Sequence, residues 1–272
     1  MTDVTTADVW VSVEPPPVKD RPFGLFSVAG PTTPEPAEWQ AGVQWRNSPG
    51  CADAGYTLDP CISGTAVAPK TWQDCQVLRA YKPFTVYTYL KRSGLSVDVA
   101  RSEVEAAFAA AEERGVESFV WNNQLPGLVD AHWTMGIDEV VRALGLVELA
   151  LRQNYNGVGV IHMDPATATV LGDSHLHAED DRLVTTLGTP VVVGAGYGPV
   201  LTLSAPPAPS APPPSLTGSI FGTGALAIRR GENDVIEGFD RAVNDALVLA
   251  ERTYVVGWDC VAVRADIPIG GT

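Results

Sequence analysis

Three of the four histidines in the 272-residue chain fall in a short stretch. His162-Met163-Asp164 comes first, and Asp173-Ser174-His175-Leu176-His177-Ala178-Glu179-Asp180-Asp181 follows. Imidazoles and carboxylates at a strand end and in the loop after it could hold a divalent metal and activate a bound water. His162, Asp164, His175 and His177 therefore make a metal-dependent hydrolase one candidate function. The spacing argues against it: His175 and His177 share a face only in extended chain, and no HExxH helix pattern is present. A polar surface loop accounts for the run. Pro190-Val191-Val192-Val193-Gly194-Ala195-Gly196-Tyr197-Gly198-Pro199 leads a strand into glycines, as a dinucleotide fingerprint does. However, Pro199 stands where the third glycine belongs, and a proline-rich segment rather than a helix follows. No serine lies in a GxSxG elbow, and no cysteine has neighbours that would lower its pKa. Cys51, Cys61, Cys75 and Cys260 contain no CxxC pair, so reduced thiols are expected rather than zinc ligands. No catalytic, cofactor-binding or metal residue is assigned, no cofactor is expected, and the chain reads as a non-enzyme.

Composition narrows the remaining classes. A hydrophobic fraction of 45% is that of a folded protein, not a disordered one. With 18 basic against 32 acidic side chains the formal charge is −14, which disfavours general binding to phosphate backbones. No apolar run approaches the roughly 18 residues needed to cross a bilayer, so no membrane partner is expected. The opening MTDVTTADVW has neither a basic nor an apolar leader region; the expectation is a protein made in the cytoplasm that stays there or leaves by lysis.

The elements that would position any site change character along the chain. Ten of the 22 prolines lie in the first 69 residues, so extended chain is expected there. The same region carries Trp10, Phe23, Leu25, Phe26, Trp39, Val43 and Trp45, too much apolar surface for a solvated linker. These side chains pack either on the chain's own domain or, as an arm, on a neighbouring subunit. Residues 84–90 read as strand. Ser96 then caps a helix reaching Trp121-Asn122-Asn123, about 39 Å long, with the acidic run of Glu103, Glu105, Glu112, Glu113 and Glu117 read as a solvated face. A second helix is expected over 138–154, strand over 158–161, a short helix over 166–171, and strands over 183–186 and 190–193. Residues 205–215, with six prolines in eleven, read as a projecting loop. Strand is expected again over 219–229, helix over 239–249, and strand over 253–266.

The residues carrying the clearest likeness are Phe84-Thr85-Val86-Tyr87 leading to Asp98, and then Ala109 to Trp121 with the acidic pair Glu112-Glu113. Ile137 to Leu144, Gly157 to Leu171, Arg182 to Val193 and Leu249 to Val263 continue it. In order and character these segments resemble the shell proteins of tailed-phage capsids of the Hong Kong 97 type and the related encapsulin nanocompartments. The resemblance implies an α+β fold with an N-terminal arm over 1–38 and an E-loop-like region over 39–80. It places a peripheral (P) domain with a long spine helix over 81–125 and 240–272, and an axial (A) domain over 126–239 carrying the Pro-rich loop 205–215. It implies a structural protein that self-assembles, as hexamers or pentamers, into an icosahedral virion capsid around double-stranded DNA, with no sequence-specific contact to it. Assembly would occur in the host cytoplasm, with portal, scaffold, decoration or minor capsid proteins as further partners. An encapsulin-type compartment is the alternative on the same fold, although encapsulins begin with a helix and this chain begins with proline-rich sequence. The crosslinking lysine of one relative has no counterpart among Lys19, Lys70, Lys82 and Lys91.

Overall fold

The computed structural model describes residues 19, 21–32, 41–46, 48–52, 78–92, 94–136, 139–198, 216–241 and 245–269. The loop 205–215, residues 1–18 and most of the region expected as an E-loop lie outside the described residues.

Leu25–Val28 makes one helical turn, α1. Val43–Arg46 (β1) and Leu78–Tyr81 (β2) pair as an antiparallel ribbon. Phe84–Lys91 (β3) alternates strictly between its two faces, as a half-buried strand of β-branched and aromatic residues should. The Ser96 Oγ accepts the Val99 N–H and starts Val97–Phe119 (α2), which at 23 residues is about 35 Å long. Its buried ridge, Ala100, Val104, Phe108 and Val116, advances in multiples of four residues. Each four-residue step overshoots one turn by about 40°, so the inward face rotates along the helix and its last turns meet a different partner from its first. Gly115 allows β3 to approach closely: a Cβ there would sit 2.5 Å from Val86. A single π turn, Val120–Gln124, ends the helix with Val120, Trp121 and Gln124 buried.

Ala131–Thr134 (β4), Val140–Asn154 (α3), Val160–Met163 (β5) and Pro165–Leu171 (α4) follow. Asp164 caps α4 through the N–H groups of Ala166 and Thr167. Leu176–Glu179 (β6) and Arg182–Thr185 (β7) form a hairpin turned at Asp180, which holds φ +53°, so part of the run expected as a loop is the edge strand β6, paired with the strand expected over 183–186. Pro190–Val193 (β8) coincides with the expected strand.

The last third departs most from expectation. Leu216–Thr223 (β9) and Leu226–Arg230 (β10) are two strands, and Asp234–Asp240 (β11) turns into Asp245–Trp258 (β12). The helix expected over 239–249 is thus a β-hairpin. Leu247, Val248, Leu249 and Ala250 alternate partly and fully buried, and β12 is flanked by β3 on one edge and by β10 and β11 on the other. Pairing on both edges overrides the local helical preference. Ala262–Ile269 (β13) follows a break at Asp259.

Two sheets result. β3, β10, β11 and β12 form four strands beneath α2; the other has seven in the order β4-β13-β9-β5-β8-β7-β6, covered by α3. β10 and β11 lie in the sheet beneath α2, while β13 runs between β4 and β9. Two large buried clusters hold the layers, the first reaching both sheets through Val192 of β8, Phe221 of β9 and Tyr254 of β12, and a smaller third packs Ala100, Val104 and Phe108 of α2 on Val248 and Ala250 of β12. Trp258, Tyr254, Phe84, Val116, Val120 and Leu25 centre the first, and Val147, Leu151, Ile161, Ile220 and Ile267 the second.

Cys51 and Cys260, expected as free thiols, are joined in a disulfide with Cα atoms 5.9 Å apart and a sequence separation of 209. Such a closed loop restricts the unfolded chain by on the order of 5 kcal/mol in the chain-entropy account.

Candidate functional site

The proposed metal ligands are not brought together. His162 lies inside β5, fully buried, with Nδ1 3.0 Å from the Tyr197 hydroxyl and Nε2 3.0 Å from Thr223 Oγ1. Burial pushes its pKa down to about 3, so it is a neutral core histidine with both nitrogens satisfied. Asp164 caps α4 and also accepts the Thr167 hydroxyl at 2.6 Å. His177 is exposed on the edge strand and His175 half-buried at its start. Among the described residues, the only group of three metal-binding types within 4.8 Å is Cys51, Asp259 and Cys260, two of which share the disulfide.

A second constellation has the residue types of a hydrolytic triad in an inert order. Asp266 lies between Ser219 and His132, accepting the serine hydroxyl with Oδ1 and approaching His132 Nε2 at 2.8 Å with Oδ2. Burial would raise Asp266, but the bonds from Ser219, Arg264 and His132 outweigh it and hold the carboxyl below the usual range. A triad needs the imidazole between hydroxyl and carboxylate; here the carboxylate occupies the middle and separates the imidazole from the serine.

The chemistry of α2 is concentrated instead in Glu112, Glu113 and Glu117, which the solvated-face expectation missed. Glu117 is 1% exposed. One oxygen accepts the Leu25 N–H at 3.1 Å and the other the Gly196 N–H at 2.9 Å. Glu113 accepts the Phe26 N–H at 2.6 Å. Glu112 receives Arg252 and the Tyr254 hydroxyl from β12, with Arg230 at 4.0 Å. Three carboxylates on one helix end thus tie down the N-terminal segment, the glycine turn after β8 and the four-stranded sheet. Gly196 is required by proximity, since a Cβ would lie 2.4 Å from the Arg114 carbonyl oxygen. Burial pushes Glu117 up to about 7, against the two N–H bonds that favour its charge.

This clamp decides how residues 21–32 are packed. Leu25 is fully buried in the chain's own core, Phe26 stacks on Tyr254, and Val193 N–H reaches the Phe23 carbonyl at 2.8 Å. Thr32 extends the sheet by bonding Ile228 and Arg230 at the free edge of β10. Of the two readings of the N-terminal aromatics, packing on the own domain holds for Leu25 and Phe26.

Among the described residues, large apolar side chains stand exposed on the opposite face of the four-stranded sheet. Tyr87 and Tyr89 are 63% and 59% exposed on β3, and Ile236 on β11 is 47% exposed. Tyr89 and Ile236 flank Leu249 of β12 in one cross-strand row, making an apolar stripe on a protein otherwise rich in surface charge.

No family model matches the sequence. No curated protein matches it either. Solved structures do match along the whole chain. The capsid of a native GTA particle aligns at 12% identity over 97% of this chain and 96% of that one, with a TM-score of 0.53. A structure from Mycobacterium phage Che8 aligns at 12% identity over 97% and 98%, with a TM-score of 0.51. The virus-like particle from Pyrococcus furiosus aligns at 11% identity over 90% and 91%, with a TM-score of 0.50. The class that emerges is a mixed helix-and-strand protein with the fold of phage capsid shells.

Proposed function

We propose that the chain is a shell-forming capsid protein of a bacteriophage, of the Hong Kong 97-like kind, which self-associates into an icosahedral virion capsid around double-stranded DNA. The observation that carries this reading is whole-length agreement with capsid folds, both chains covered almost end to end. In this reading α2 is the spine helix, and the four-stranded sheet beneath it, with residues 226–258, forms the peripheral domain. The seven-stranded sheet with α3 forms the axial domain, now including β13, and 205–215 projects from it. Residues 1–38 are the arm, anchored on its own subunit by Leu25 and Phe26. Residues 39–80 are the E-loop, with β1 and β2 as its base.

Assembly is a matter of geometry rather than of reaction chemistry. Two rigid cores joined by the carboxylate clamp give a plate, and the exposed stripe of Tyr87, Tyr89 and Ile236 offers apolar surface to a second copy. Burial there must overcome repulsion between subunits each carrying −14. The same acidity suits a wall that encloses DNA while gripping little of it. An encapsulin-type compartment uses the same fold, and the Pyrococcus particle is the observation in its favour. Nuclease treatment of particles made during infection, followed by extraction, separates the two. Protected genome-length DNA is expected; particles that carry only protein cargo would transfer the reading to the compartment.

A further inference from the structure

The Cys51–Cys260 pair sits where the connection leaving β1 docks on the body of the protein. Cys51 closes a short turn, Pro49–Cys51, in which Ser48 Oγ accepts the Gly50 N–H. Among the described residues, the turn is held by the ends of α3 and β12. Ser48 donates through its N–H and hydroxyl to Asp259, Asn156 N–H reaches the Gly50 carbonyl at 2.8 Å, and the Asn156 side chain reaches the Ala52 carbonyl at 2.6 Å. Gly50 lies against the Tyr155 ring, where a Cβ would approach to 2.7 Å. The turn is therefore docked by hydrogen bonds whether or not the sulfurs are joined. Both cysteines are only half-buried, so small thiols and disulfides can reach them.

We infer that Cys51 and Cys260 form a redox latch. In a thiol-rich cell interior the pair is reduced and the turn is held by its hydrogen bonds; on exposure to an oxidising medium the disulfide forms and fixes the turn to the β12–β13 connection. The oxidant is a low-molecular-weight disulfide such as glutathione disulfide. One cysteine, having lost its proton to solvent, attacks a glutathione sulfur and expels one glutathione thiolate. The second cysteine, also deprotonated, attacks the protein sulfur of that mixed disulfide and expels the other. The two protein sulfurs lose two electrons, the glutathione disulfide gains them, and each leaving thiolate takes up a proton. The pairing stands independently of the shell reading, which bears only on when the medium changes.

The test is to equilibrate the intact protein with graded mixtures of reduced and oxidised glutathione, alkylate with N-ethylmaleimide, and map modified peptides by mass spectrometry. Four alkylated cysteines are expected under reduced glutathione alone, and two, Cys61 and Cys75, in the oxidised mixture with a Cys51–Cys260 peptide present. The melting temperature should fall by about 10 °C on reduction. A Cys51→Ala/Cys260→Ala double variant should melt at the reduced protein's temperature in both media. Pairing of Cys51 with Cys61 or Cys75, a bond that survives millimolar reduced glutathione, or one zinc ion per reduced chain would each overturn the latch.

Discussion

At the clamp, burial outweighs the two N–H bonds to Glu117, and its folded pKa of about 7 lies above its ordinary value. A raised carboxyl binds its proton more tightly in the folded state, so its contribution to stability is full below about pH 4.5 and is lost as pH rises through 7. The loss amounts to about 3 kcal/mol over that interval. His162 works the other way: with its folded pKa depressed to about 3, its contribution is present above pH 6.5 and falls away on acidification. Between pH 4.5 and 6.5 the two slopes oppose each other at about 1.4 kcal/mol per pH unit each. Glu117→Gln should remove one of them, so the variant should lose melting temperature relative to the native protein as pH is lowered from 7 to 4.5. Parallel curves for the two proteins would contradict the buried-carboxylate account. This role was half legible. The stretch Val116, Phe119, Val120 and Trp121 is apolar around most of the helix, which signals burial on several sides, but the backbone donors Leu25 and Gly196 come from segments 92 and 79 residues away. Neither was the partner of Cys51 readable, since no spacing rule links cysteines 209 apart.

Among the elements, the N-terminal segment and the glycine turn are load-transferring parts, and two truncations separate their roles. Deleting residues 1–18 keeps the Leu25, Phe26 and Gly196 donors of the clamp and should cost less stability than the longer truncation. Deleting 1–32 empties the Leu25 site and strips donors from Glu113 and Glu117, and should cost several kcal/mol in urea or thermal melts. Equal stability of the two truncations would mean that the segment docks elsewhere. Gly196→Ala drives a methyl group into the α2 backbone and should cost about 3 kcal/mol. By contrast Gly145→Ala, on an open face of α3, should raise stability by about 0.5–1 kcal/mol. Elements with clear local signatures were readable: the Ser96 cap, the β3 alternation, and the Asp164-Pro165 start of α4. The β11–β12 hairpin was not, because Phe239 to Leu249 has helical spacing and only the strands on either edge of β12 decide otherwise. The sheet membership of β10, β11 and β13 was hidden for the same reason, being fixed by pairings between segments remote in sequence.

For the whole molecule, the proposed assembly requires surfaces that the single subunit leaves open. Tyr87→Glu with Tyr89→Glu places charge on the stripe without touching either core, so the variant should keep its monomer melting temperature and fail to form particles in sedimentation. Unchanged particle formation would remove that face from the assembly. The order of elements in the chain made the capsid-like fold readable from sequence even at a level of identity where no family model matches, while the surfaces that meet in a shell leave no local pattern to read. The central claim is that copies of this chain close into a shell, and electron microscopy of the purified protein tests it most directly. Closed, uniform icosahedral particles are expected; a monodisperse 28.8 kDa monomer under all conditions of salt, pH and concentration would contradict it.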